Sequence, residues 1–149
     1  MSTPANVSRR GFIQAGAVLG ASWALSSHGA EEPPADKKVR VGMVGVGSRG
    51  TFLTNTLLEL PGVEIPAVCD INPDSATRAK GIIEKATGKS PDLYTQGDRD
   101  WERLVVREDL DAVITATPWQ WHTPIMVAAM KAGKYGGTEV PAALSVEEC

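Results

Sequence analysis

The sequence predicts an α/β fold, a doubly wound parallel sheet, and three observations lead there. Strand-like and helix-like patterns alternate from Val39 to Val140. The first strand-like run, Val39–Val44, feeds the turn Gly45-Val46-Gly47-Ser48-Arg49-Gly50, and an apolar-periodic stretch follows at once. A second strand-like run ends in Asp70, about 20 residues past the last glycine, which is the spacing of a dinucleotide-binding βαβ unit. The sheet is therefore expected to be of the Rossmann type. Among 15 glycines a GxGxxG spacing alone arises easily by chance. The strand before it, the helix after it and the acid downstream give it meaning.

Each element has its own warrant. Val39–Val44 has the alternating β-branched residues of a strand. In the turn, Gly45 allows the tight bend, Gly47 lets the backbone approach a pyrophosphate, and Gly50 lets helix and strand pack closely. A helix is expected over Gly50–Leu60, its unpaired N–H groups and positive dipole end offered to the anion. Val63–Cys69 is the second strand, with a bulge or a shortening at Pro66, which cannot donate to a ladder. Asp70 can accept hydrogen bonds from a ribose 2′-OH and would repel a 2′-phosphate, so NAD is expected over NADP.

Asn72-Pro73-Asp74 opens the next helix with a cap, a proline at its first position and an acid in its first turn, and Gly88 stops it. Asp92–Thr95 is a short third strand. Asp100 to Val106 reads as an amphipathic helix capped by Asp98 or Asp100. Ala112–Ala116 is a fourth strand, apolar and buried on both faces. Thr123-Pro124 starts a helix that ends at Gly133, and Tyr135–Val140 is the fifth strand, weakened by Gly136 and Gly137.

The ends carry different information. Ser8-Arg9-Arg10-Gly11-Phe12-Ile13-Gln14 reads as a twin-arginine export signal. The apolar run after it, Ala15 to Leu25, is too short to span a bilayer. Residues 1–30 are thus expected to be the signal, 31–36 a proline-bearing linker, and 37–149 the dinucleotide-binding domain. The expected location is periplasmic or extracytoplasmic, with a membrane anchor if the signal stays uncleaved. That route carries folded proteins, which suits a cofactor loaded in the cytoplasm. At the other end, Ser145-Val146-Glu147-Glu148 is a capping-box pattern that announces a helix, and Cys149 follows directly. The chain is therefore expected to be a truncated product or fragment lacking a following substrate domain. Its net charge of −3, from 15 basic and 18 acidic residues, provides no basic stripe for nucleic acid. Cys69 and Cys149 stand in no CxxC or Cys/His spacing for a metal and read as structural thiols.

In doubly wound sheets the ligand lies beyond the carboxyl ends of the strands. Three such ends carry unusual chemistry here: Ser48-Arg49, Thr117-Pro118-Trp119-Gln120-Trp121-His122, and Glu139-Val140-Pro141. Two tryptophans, a glutamine and a histidine in one short loop suit a nicotinamide-ribose. The same residues allow a plainer reading, with Trp119 and Trp121 as core plugs and His122 as a cap for the following helix.

These pieces together resemble the Gfo/Idh/MocA oxidoreductase family over Lys37 to Cys149. GxGxxG, an acid after strand two, Ala116-Thr117-Pro118 leading to His122, and Ala132-Gly133-Lys134 leading to Glu139-x-Pro141 recur there in that order. Gly97-Asp98-Arg99-Asp100-Trp101, Ala116 to His122, and Glu139-Val140-Pro141-Ala142-Ala143 through Glu147-Glu148-Cys149 are closer to one branch, the NAD-dependent α-N-acetylgalactosaminidases, which are glycoside hydrolases. Ordinary dehydrogenases of the larger family usually have a lysine where Val140 stands. Tyr135-Gly136 departs from the family's common His-Val. The resemblance implies NAD as cofactor, with contacts at Ser48, Arg49, Asp70, Trp119, Gln120, Trp121, His122, Glu139 and Val140 beside the three glycines of the turn. It places the catalytic acid and base in the later substrate domain, so none is named here.

The chemistry implied is not the two-carboxylate route. NAD⁺ oxidises a sugar hydroxyl, the glycosidic bond leaves by elimination, water adds, and the retained NADH restores the hydroxyl. The implied partner is a small-molecule glycoside or sugar, with no nucleic acid and no metal, and a homo-oligomer is left open. The competing readings are a sugar dehydrogenase of the wider family and, for this polypeptide itself, a non-catalytic nucleotide-binding remnant.

Overall fold

Five parallel strands order themselves as β3-β2-β1-β4-β5 in the computed structural model of the chain, which describes residues 38–149. They are β1 Val39–Val44, β2 Val63–Cys69, β3 Asp92–Tyr94, β4 Ala112–Thr115 and β5 Tyr135–Thr138. Helices α1 Ser48–Leu58, α2 Pro73–Thr87, α3 Trp101–Val105 and α4 His122–Lys131 connect them, with a 3₁₀ turn at Trp119–Trp121 before α4. The chain winds outward from β1 to β3, returns to β4, and winds the other way. The carboxyl ends of β1 and β4 therefore flank the switch point where such sheets open a crevice. The export signal and linker expected at 1–36 lie outside the described residues.

Pro66 acts as its chemistry demands. Opposite β1, the pairing jumps from Arg40↔Glu64 to Gly42↔Ala67, so Ile65 and Pro66 together face one residue, Val41. This bulge also resets the alternation of the strand. Ile65 and Val68, three apart, pack in the cluster with Val41, Met43, Ala76 and Ile83, whereas Ala67 and Cys69 join Val44, Trp101, Leu104 and Ile125 in the other. A regular strand would send Ile65 and Val68 to opposite faces.

Helix ends follow local rules where a side chain can reach. The Asn72 side chain accepts from Asp74 N at 2.9 Å with Pro73 at the first position, and Gly88 closes α2 at φ +71°. Asp100 takes the N-cap position of α3, but its carboxylate turns back to accept from Gln96 N at 2.8 Å and from Arg103 at 2.9 Å. Gly42 makes room for that short helix, since a Cβ there would lie 2.7 Å from the Leu104 side chain.

Several boundaries differ from expectation. α1 begins at Ser48 rather than Gly50, because the turn is already helical from the residue after the extended Gly47. The 3₁₀ turn starts α4 at His122 instead of Thr123. β5 stops at Thr138, and its two glycines are a packing device more than a weakness: a Cβ at Gly136 would meet Met126 Sδ at 2.9 Å, and one at Gly137 would meet Ile114 at 3.2 Å. The helix announced by Ser145 is one turn only. Ser145 Oγ accepts from Glu148 N at 3.3 Å, but the Glu148 carboxylate accepts from Leu144 N at 2.6 Å and from the Thr123 hydroxyl at 3.3 Å. The reciprocal bond of a capping box is thus diverted by one residue and to α4.

Candidate functional site

The glycine turn is held on three sides. Gly45 adopts φ +79°, and a Cβ there would sit 2.9 Å from the carbonyl carbon and oxygen of Ala116. A Cβ on Gly50 would lie 2.8 Å from Gly45 C and closer still to Gly45 O. Gly47, the remaining glycine of the turn, faces open space, with nothing within 4 Å of its virtual Cβ. It is also the N-cap of α1, and no side chain caps that helix. The first-turn N–H groups thus keep their positive end without an internal acceptor from a cap.

Asp70, leaving β2, closes the third side. One carboxylate oxygen accepts from Val46 N at 2.7 Å, and the other from Asn72 N at 2.8 Å. The acid thus fastens the glycine turn to the end of its neighbouring strand. Beside it Cys69 is a buried thiol, pushed up to about 12 first by burial and then by the charges of Asp100 and Asp70. A neutral thiol of that kind is a packing group, not a nucleophile.

Two hollows flank the turn. The first, about 360 Å³, lies between Gly45, Gly47 and Asp70 on one side and Thr117, Pro118 and Trp121 on the other. Trp101 also lines it, its ring edge-to-face with that of Trp121 at 6.1 Å and 64°. Its Nε1 is the one buried side-chain nitrogen or oxygen without a hydrogen-bond partner among the described residues. The second hollow, about 230 Å³, is lined by Arg49, Trp119, His122, Glu139 and Val140. Ala116 and Thr117 border both. The segment leaving β4 is therefore a partition.

The walls of the second hollow are tied together. Arg49 pairs with Glu139 at 2.8 Å while its guanidinium lies 5.0 Å from the centre of the Phe52 ring. His122 is 1% exposed, with Nδ1 2.8 Å from Pro141 O and Nε2 2.9 Å from Thr117 O. It does not cap α4. It binds the loop after β5 to the loop after β4, and Thr123 Oγ1 adds a bond to Ala142 O at 2.9 Å.

The predicted residues divide between these places. Gly45, Gly47, Asp70 and Trp121 meet at the first hollow; Arg49, Trp119, His122, Glu139 and Val140 meet at the second. Ser48 opens α1 and Gly50 backs the turn, while Gln120 is exposed and lines neither. The tryptophans of one loop thus part company: Trp121 packs against the core cluster and Trp101, and Trp119 is 61% exposed. Sequence reasoning passed over Asp98, Trp101 and Ile71 as lining residues. The signal available was the Gly-Asp-x-x-Trp stretch, which presents a large indole one short turn after a glycine.

Comparison with known proteins adds three findings. Residues 39–149 match the family model described as an oxidoreductase family with an NAD-binding Rossmann fold, Gfo/Idh/MocA. Among curated proteins, the chain is 39% identical over 148 residues to a glycosyl hydrolase family 109 protein of Saccharopolyspora erythraea, covering 90% of this chain and 32% of that one. It is 38% identical over 163 residues to the alpha-N-acetylgalactosaminidase of Shewanella oneidensis, covering 97% and 36%. The chain thus spans about a third of the length of these relatives. Among solved structures, apo scyllo-inositol dehydrogenase from Lactobacillus casei superposes with a TM-score of 0.65 at 24% identity, over 76% of this chain and 31% of that one. The WlbA dehydrogenase from Bordetella pertussis, in complex with NADH and UDP-GlcNAcA, gives 0.62 at 25% identity, over 75% and 31%.

Proposed function

The chain belongs to the Gfo/Idh/MocA oxidoreductase family with its NAD-binding Rossmann fold, and from that premise we propose that it is the NAD-binding domain of a glycoside hydrolase acting on α-N-acetylgalactosaminides. The observation that carries the reading is the open space over Gly47, at an uncapped helix start, with one hollow lined by Gly47 and a second by Arg49 of the same turn. An anion fits the middle and a flat ring fits each hollow, as a dinucleotide requires. The identities of 38–39% to family 109 relatives support the glycosidase branch.

Each group of the chain has a task in this reading. The first-turn N–H groups of α1 neutralise the pyrophosphate, and Gly47 keeps the approach clear. Asp70 accepts from an adenosine ribose hydroxyl while holding Val46 N. The Arg49–Glu139 pair and Trp119 bound the nicotinamide side, with His122 as the positioning residue behind them. When bound, NAD would supply a reversible acceptor for the hydride on the carbon that bears a sugar hydroxyl. Val140, 82% exposed, provides no ammonium group for proton transfer where a dehydrogenase of this family usually has lysine. Proton donors and acceptors for the glycosidic bond are therefore expected from residues beyond this domain. Incubating the protein made from its complete reading frame with NAD and a chromogenic N-acetylgalactosaminide is expected to release the chromophore without NADH accumulating. Stoichiometric NADH with an intact glycoside would assign it to the sugar dehydrogenases instead.

A preference for NAD over NADP follows from Asp70. Asp70→Ala is expected to weaken NAD binding about tenfold or more, as loss of charge-assisted hydrogen bonds does, and to narrow the preference. Part of the loss will come from the glycine turn, because Val46 N and Asn72 N lose their acceptor. Calorimetric titration with both dinucleotides checks this, and equal affinity of the unaltered chain for NAD and NADP would overturn it.

A further inference from the structure

Resting on that reading, we infer that Asp98 selects the base of the dinucleotide, accepting a hydrogen bond from the exocyclic amine of an adenine held in the first hollow. The wall of this hollow is made of flat or aliphatic groups, among them Ile71, Trp101, Pro118 and Trp121. Such a wall holds any heterocycle through its faces and discriminates poorly between bases. Discrimination has to come from polar groups at the edge, and the charged ones there are Asp70 and Asp98.

The two acids differ in what they already hold. Both oxygens of Asp70 are engaged, by Val46 N and Asn72 N, which fixes it at the turn and hence at the sugar. Asp98 is exposed on the rim and has no hydrogen bond or ion pair among the described residues. The cations near it in sequence are directed elsewhere: Arg99 pairs with Glu102, and Arg103 with Asp100 and Gln96. Its place is set by its neighbours. Gly97 reverses the chain at φ +120°, and the Asp100 carboxylate pins the far side of the loop through Gln96 N at 2.8 Å. The result is a free acceptor, on a fixed loop, at the edge of an apolar slot.

An ionised carboxylate only accepts. Against the 6-amine of adenine it gains a hydrogen bond. At the position of that amine a 6-oxo purine places another acceptor, so the same contact turns repulsive, and the donor of its edge, N1–H, lies one ring atom away from where the carboxylate is set to accept. Asp98 is thereby a specificity residue for adenine.

The probe is nicotinamide hypoxanthine dinucleotide, which differs from NAD by an oxygen in place of that amine. In calorimetric titrations the 149-residue chain is expected to bind NAD about tenfold more tightly than the hypoxanthine analogue. Asp98→Asn offers an amide N–H to the oxo group, and the ratio is expected to fall to about twofold or to invert. The melting temperature should stay unchanged, since nothing in the fold leans on this side chain. Equal affinity of the unaltered chain for both dinucleotides, or the same ratio in the two proteins, would overturn the assignment while leaving the NAD reading intact. Binding of neither dinucleotide would overturn both.

Discussion

Gly50→Ala is expected to cost the chain both stability and its nucleotide, whereas Gly47→Ala should cost it chiefly the nucleotide. The two glycines stand in one motif, but they meet different surroundings. A methyl group introduced at Gly50 would drive into the backbone of Gly45, 2.8 Å from its carbonyl carbon and nearer to its oxygen. Neither side can yield cheaply, because Gly45 sits at φ +79° beside the backbone of Ala116, where even an added Cβ would lie only 2.9 Å from the Ala116 carbonyl. Overpacking of a tight site costs roughly 1–3 kcal/mol, and a backbone obstacle puts this case at the upper end. At Gly47 the same methyl group meets nothing within 4 Å and φ is −62°, so stability should fall by no more than about 1 kcal/mol, the cost of alanine at an N-cap. The methyl would instead fill the space over α1 in which the proposed pyrophosphate site lies. Thermal unfolding and NAD titration of both variants make the comparison. Undiminished NAD binding by Gly47→Ala would show that the anion does not lie at this turn.

His122→Ala is the second large effect. The ring is 1% exposed and bridges two carbonyls from segments far apart in the chain, Thr117 O and Pro141 O. Its removal leaves a void, and at least one of the two half-buried carbonyls loses a donor. The sum is of order 3 kcal/mol, which for a domain of this size lowers Tm by roughly 10 °C or more. The loss should be felt unequally by the two hollows. Glu139 and Val140 are held in place through Pro141, so the second hollow loosens on two sides, whereas the first shares only the Thr117 segment with it and keeps its Asp70 and Trp101 walls. NAD affinity is expected to fall below the melting transition while ADP affinity stays close to that of the unaltered chain. An equal loss for ADP and NAD would place the damage in the whole fold and not in the positioning of one wall.

Much of the fold was legible because its signals are local. Pro66 has no N–H wherever it sits, so a bulge could be read from one residue. Asn72-Pro73-Asp74 and Gly88 mark the ends of α2 by the same logic. What escaped reading depends on which distant backbone a side chain finds. His122 has the composition of a ligand contact or a helix cap, and its role is decided by a carbonyl 19 positions later. Trp121 looks equivalent to Trp119 until Trp101 arrives beside it. Glu148 completes a capping box on paper, yet the nearer donors are Leu144 N and Thr123. Gly136 and Gly137 lower strand propensity, but propensity is silent on the Met126 and Ile114 side chains packed close over them.

The partition at Ala116 and Thr117 has a thermodynamic consequence. Because one segment walls both hollows, a dinucleotide bound as proposed would meet a single edge with both of its halves, and their free energies would combine as a linked pair. Each mononucleotide alone bears the full loss of translational and rotational freedom, whereas the joined molecule bears it once. The effective concentration of the second half then depends on how firmly the edge is held, which is the work of His122 and of the carbonyls it spans. Affinity for the whole cofactor is in this sense a property of the stiffness between the sites as much as of the sites themselves.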